Sequence, residues 1–188
     1  MFTACRQLRY WQDEGLAPGT MAVNVSAHQV ARRDFAETVR RAIRDSGIAP
    51  ESLILELTES AVIRDDVSAA ESIKELCALR VRFSVDDFGT GHATFSNLRN
   101  LAVDSVKIDR SFVAGMVPHG QDAVIVEAII VMADRLGLSV IAEGVENIDQ
   151  YQRLRELGCA EIQGFLFSTP LAEDEMATFL ASGHQLTT

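Results

Sequence analysis

Two periods alternate along this chain of 188 residues, and that alternation limits its fold more than any other feature. Short stretches in which every second residue is apolar give way to longer ones in which apolar residues return every three or four. Strands are predicted at 21–25, 53–57, 82–86, 104–108, 139–142 and 161–165. Helices are predicted at 2–14, 34–46, 67–79, 94–100, 121–136, 147–157 and 172–182, with Gly15, Gly47 and Gly137 as stops. Strands separated by helices pair in parallel through right-handed crossovers. The expectation is an α/β fold, a TIM-type (β/α) barrel that is incomplete, with about six of the usual eight strands. An open doubly wound sheet competes, but no G-x-G-x-x-G follows the first strand. No linker or low-complexity stretch interrupts residues 1–188, so a single domain is expected.

Side-chain parity sharpens the barrel reading, because alternate strand residues face opposite sides. Leu53, Leu55 and Leu57 share one face, and Phe83 and Val85 another, as do Val106 and Ile108. The opposite faces carry one functional group near each C-terminal end: Asn24, Glu56, Asp86, Lys107, Glu143 and Gln163. A barrel gathers such ends into one mouth, where folds of this kind keep their chemistry.

The charge balance narrows the partners. Asp and Glu number 27 against 17 Lys and Arg, a formal net charge of −10. That disfavours DNA, RNA and anionic membrane as general partners. It still permits a phosphate ligand where metals invert the local sign. No window approaches the ~20 apolar residues of a membrane span, and no signal pattern opens the chain, so a cytoplasmic location is expected. Cys5, Cys77 and Cys159 form no C-x-x-C pair and read as reduced thiols. The histidines show no zinc-ligand spacing.

Four carboxylates and one amide at strand ends make a hard, oxygen-rich set suited to Mg²⁺ or Mn²⁺. Asp86 and Asp87 are adjacent carboxylates followed by a loop with Gly89, Thr90 and Gly91. Like charges so close call for a counter-charge, and two ions could share a bridging carboxylate. Lys107 could orient or deprotonate a water, or offset charge on phosphorus. Each residue also has a plain alternative: Lys107 could simply bridge Asp86 and Glu143, the glycines could be turn residues, and His92 could be a packing residue. Six matched positions on successive strands favour the functional reading.

These residues fall in ordered segments: Asn24-Val25-Ser26, Glu56-Leu57-Thr58-Glu59, Asp86-Asp87-Phe88-Gly89-Thr90-Gly91, Lys107-Ile108-Asp109-Arg110-Ser111-Phe112-Val113, Ala142-Glu143-Gly144-Val145-Glu146 and Gln163-Gly164-Phe165. The chain thereby resembles the EAL domain of bacterial cyclic di-GMP phosphodiesterases. The resemblance implies that Asn24, Glu56 and Asp86 hold one metal and Asp86, Asp87 and Glu143 a second. It makes Lys107 the residue that activates or positions water, Glu59 the anchor of the Asp86–Gly91 loop, and Glu146 and Gln163 supporting residues. The implied reaction opens one phosphodiester bond of cyclic di-GMP to give linear pGpG. The Glu-Ala-Leu motif is absent from these residues; the resemblance places it on a strand before residue 1. His92, Ala93 and Ala102 also depart from the pattern. With two strands fewer, 21–25 and 161–165 become open edges. Self-association through those edges or through the Asp86–Gly91 loop is expected. The alternatives are a degenerate domain that senses cyclic di-GMP or a protein partner without cutting, and an enolase-like enzyme using Lys107 as base.

Overall fold

A computed structural model describes residues 1–16, 18–59, 67–90, 103–117 and 120–182. Gly91, His92, Ala93, Ala102 and the helix expected at 94–100 lie outside the described residues. In chain order the described elements are α1 (Phe2–Asp13), β1 (Met21–Val25), α2 (Ala27–Val30), α3 (Phe35–Ser46), a 3₁₀ turn (Pro50–Ser52) and β2 (Leu53–Thr58). There follow α4 (Val67–Ala78), β3 (Arg82–Phe88), β4 (Ser105–Ile108), α5 (Arg110–Ala114), α6 (Gln121–Leu136), β5 (Ser139–Ala142), α7 (Ile148–Glu156), β6 (Glu161–Ile162) and α8 (Glu173–Ala181). Strand order along the sheet is β1-β2-β3-β4-β5-β6, with β1 and β6 at its ends. Neighbours from β3 to β6 run parallel. This is the α/β architecture of an incomplete barrel.

The chain divides into two compact units. The first is Met1–Leu55, Asp66–Arg82 and Thr169–Thr188. Here α3 packs on α1 and α4. Cys5, Leu8, Val39, Ala42, Leu53, Leu55 and Leu76 are among its buried apolar residues, each leucine worth about 1.5–3 kcal/mol on burial. Gly47 ends α3 in the left-handed region at φ 72°.

The second unit is Glu56–Asp65 and Phe83–Ser168. In it α6 lies on β4 and β5 and α5 lies on α6. Phe83, Val85, Val106, Ile108, Val113, Val126, Ala133 and Leu154 are buried. On the opposite strand faces the small pair Ser84 and Ser105 is also buried, its hydroxyls bonded at 2.9 Å. That exchange satisfies two polar groups that water cannot reach.

Two strands depart from the sequence expectation by more than one residue. β3 continues through Asp87 to Phe88 and does not stop at Asp86. β6 is confined to Glu161–Ile162, short of the expected 161–165. After Ile162 the backbone still pairs, with the Gln163 N–H donating to the Ala142 carbonyl at 2.8 Å. It then turns away against Val145.

Candidate active site

The second unit brings its chemistry to the C-terminal ends of β2, β3, β4 and β5. On β3, Val85 pairs with Val106 and Phe88 with Ile108. Asp86 and Asp87 therefore lie together opposite the single residue Lys107, a two-against-one bulge. Asp87 sits at φ 55°, which aspartate tolerates better than most residues. In a regular strand these neighbours would point to opposite faces. At the bulge, carboxylate oxygens of Asp86, Asp87 and Glu143 all lie within 4.8 Å of one another.

Lys107 stands at the centre of the acidic groups. Its Nζ is 2.6 Å from Glu143 Oε1, 2.9 Å from Glu56 Oε1 and 3.4 Å from Asp86 Oδ1. The lysine is 4% exposed. Burial by itself would lower its pKa, but hydrogen bonds to Glu143 and Glu56 and their charges carry it well above the ordinary lysine value. Glu143 is pushed up by burial, against the Lys107 contact, with Asp86 and Glu56 pushing the same way. Asp87 is raised by burial and by the charges of Asp86 and Asp109, although Lys107 and Arg110 oppose this. Carboxylates outnumber the ammonium, leaving surplus acidic groups at a rim where Asp86 and Glu143 are half-buried and Asp87 is exposed.

The remaining expected residues are placed as follows. Buried Glu59 accepts the Gly89 N–H at 3.1 Å, so it holds the start of the loop after β3. Thr90 Oγ1 donates to the Asp87 carbonyl at 2.8 Å. Glu146 is exposed in the turn after β5, and exposed Gln163 joins its backbone to that turn through Val145 N–H at 3.1 Å. Asn24 is exposed on β1 in the first unit.

Two glycines shape this rim. At Gly144, φ 70°, a Cβ would fall 2.5 Å from Arg110 Cβ. At Gly164 it would fall 2.2 Å from the Val145 carbonyl oxygen. The turn carrying Glu143 is thus pressed between the start of α5 and the strand end at Gln163.

A family model described as the EAL domain matches residues 1–170. The chain belongs to the EAL domain family. The Pseudomonas aeruginosa bifunctional diguanylate cyclase/cyclic di-GMP phosphodiesterase MucR is 39% identical over 178 residues, covering 95% of this chain and 26% of MucR. This EAL chain therefore spans about a quarter of that relative. The crystal structure of the EAL domain of Mycobacterium smegmatis DcpA matches with TM-score 0.92 and 38% identity, covering 98% of this chain and 83% of that one. A manganese/cyclic di-GMP complex of Klebsiella pneumoniae BlrP1 matches with TM-score 0.82 and 25% identity over 92% of this chain and 43% of that one. EAL domains use divalent metals, and the donor chemistry here fits such an ion: close, hard carboxylate oxygens carrying surplus charge.

The raised values set a pH dependence. A carboxylic acid whose folded pKa exceeds its unfolded value destabilises the fold when ionised, and that cost disappears as pH falls through the folded value. Asp87 and Glu143 are both of this kind. As pH falls from neutral toward the ordinary carboxylate range, Asp87 and Glu143 take up protons first, so the metal-free chain is expected to keep or raise its urea midpoint on approaching that range. Its affinity for Mn²⁺, followed by calorimetry, is expected to fall over the same range. A Mn²⁺ affinity independent of pH there contradicts the assignment.

Proposed function

We propose that this chain is a metal-dependent cyclic di-GMP phosphodiesterase module that opens the cyclic dinucleotide to linear pGpG. The observation that carries this reading is the β3 bulge, which turns Asp86 and Asp87 toward Glu143 beside the buried ammonium of Lys107. Asp86, Asp87 and Glu143 would hold one Mg²⁺ or Mn²⁺, and Glu56 with Asp86 would supply carboxylate oxygens to a second. Bound there, the ions supply Lewis-acid stabilisation of charge developing on a phosphoryl group. Lys107, with Nζ against Glu143, Glu56 and Asp86, is placed to orient or activate water or to meet a phosphoryl oxygen. Glu59 keeps Gly89, at the start of the loop after β3, in place through the Gly89 N–H. Glu146, Gln163 and Thr90 support the substrate side. No helix among the described residues is long and apolar enough to cross a membrane, and a cytoplasmic location agrees with a nucleotide substrate.

A second reading is a module that binds cyclic di-GMP without cutting it. It is favoured by the closed ion-pair set, in which Lys107 already engages Glu56, Asp86 and Glu143. Incubation with cyclic di-GMP and Mn²⁺, followed by chromatography for pGpG, separates the two. Product that disappears with EDTA and with Asp86→Asn is expected. Binding without product, unchanged in Asp86→Asn, would establish the second reading.

A further inference from the structure

We propose that Gln150 is a positioning residue that fixes Glu143 against Lys107, an inference that rests on the hydrolytic reading of the same site. Lys107 and Glu143 come from neighbouring strands, and the chain leaves them in separate directions, into α5 and into the turn before α7. One side chain joins those two departures. Gln150 Oε1 accepts the Glu146 N–H at 2.8 Å and the Asn147 N–H at 3.3 Å. Its Nε2 donates at 3.3 Å to the carbonyl of Val113, near the C-terminal end of α5. Asn147 Oδ1 returns a bond from the Gln150 N–H at 3.0 Å, closing a reciprocal cap on α7.

The amide orientation is fixed by this pattern, because the reverse would set an NH₂ group against two N–H donors. The carbonyl it reaches, near the end of α5, also accepts the Met116 N–H at 3.3 Å, so Gln150 is its second donor. Gln150 thus holds the segment carrying Glu143 to the segment that follows Lys107. On its other side the same turn has no slack, since Gly144 already lies against Arg110. A glutamine alone meets the requirement: glutamate lacks the donor, and asparagine is one carbon shorter. Gln150 also walls an open groove of 540 Å³ beside α7, so changing it seals no cavity into the core.

The chemistry of substitution separates positioning from capping. Gln150→Glu keeps the acceptor for the Glu146 and Asn147 amides and turns the bond to Val113 into a contact between two acceptor oxygens. Asn147→Ser keeps a side-chain oxygen for the cap of α7 and leaves that bond intact. With cyclic di-GMP and saturating Mn²⁺, Gln150→Glu is expected to lower kcat about tenfold or more with little change in KM, as misplacement of a reacting group does. Its urea midpoint and that of Asn147→Ser are expected to stay near wild type, and Asn147→Ser is expected to keep wild-type kcat. Amide hydrogen exchange gives an arm independent of turnover: the Glu143 amide, bonded to the Ile108 carbonyl at 3.2 Å, should exchange several-fold faster in Gln150→Glu. Unchanged kcat in a turning-over chain, or unchanged Glu143 exchange, overturns the proposal. Absence of product from wild type overturns the hydrolytic reading, and the exchange comparison then still decides the role of Gln150.

Discussion

Lys107→Met is expected to abolish turnover and to destabilise the metal-free chain by about 3–5 kcal/mol, the usual cost of breaking a buried ion network from one side. The substituent is similar in length and apolar, so packing is largely kept. What disappears is the charge that Glu143, Glu56 and Asp86 face at 2.6, 2.9 and 3.4 Å. Those carboxylates then repel one another in a partly buried site, and Glu143 is already pushed up by burial with the lysine present. Mn²⁺ should restore part of the lost stability, because a cation bound by Asp86, Asp87 and Glu143 replaces some of the missing charge. Turnover should stay down by about a thousandfold or more even at saturating Mn²⁺, since an oriented donor is not restored with the charge. Urea denaturation with and without Mn²⁺, beside product chromatography, checks each part. A variant as stable as wild type without metal would mean that the lysine does not balance these carboxylates.

The strands were legible in the sequence because their signals are local. β1 and β5 follow the alternation of apolar residues to their ends, and α6 runs from Gln121 to Leu136 as its period and Gly137 indicate. Gly47 and Gly137 mark helix ends for a physical reason: both take up a left-handed backbone at φ 72° and 73°. The convergence of Glu56, Asp86, Lys107 and Glu143 was legible too, as each is the polar member of a strand-end pair.

The bulge was not. Parity sends Asp86 and Asp87 to opposite faces, so the pattern that places Asp86 at the rim would remove its neighbour from it. The extra residue is set by register with Val106 and Ile108, partners that are 21 and 20 residues away in sequence, and no local signal marks it. Gln150 was missed for another reason. Its Asn147-x-x-Gln150 spacing is a capping signal readable from sequence. Its donor to Val113 is a tertiary contact and is not. Ser26 and Gln29 give the same cap at α2, a short helix that periodicity is too coarse to find.

The early end of β6 points to the second large effect: Gly164→Ala is expected to cost about 3 kcal/mol or more, the upper range for forcing extra volume into a packed site. The new Cβ would stand 2.2, 2.3 and 2.7 Å from the oxygen, nitrogen and carbonyl carbon of Val145. These are backbone atoms, so no rotamer change relieves the clash. They are also bonded: the Val145 N–H donates to Gln163 at 3.1 Å, and its carbonyl accepts from Leu166 at 2.9 Å. Separating the two segments breaks both bonds and moves the turn that carries Glu143. Gly158→Ala is the matched control. Gly158 has φ +87° but nothing within 4 Å of its would-be Cβ, so only the left-handed penalty of about 1–2 kcal/mol applies. Urea midpoints of the two variants should therefore differ clearly, with Gly164→Ala also losing turnover in excess of its unfolded fraction because Glu143 shifts. Equal midpoints would mean that the backbone of Val145 is free to move aside, and the rim would then be softer than the close packing at Gly164 requires.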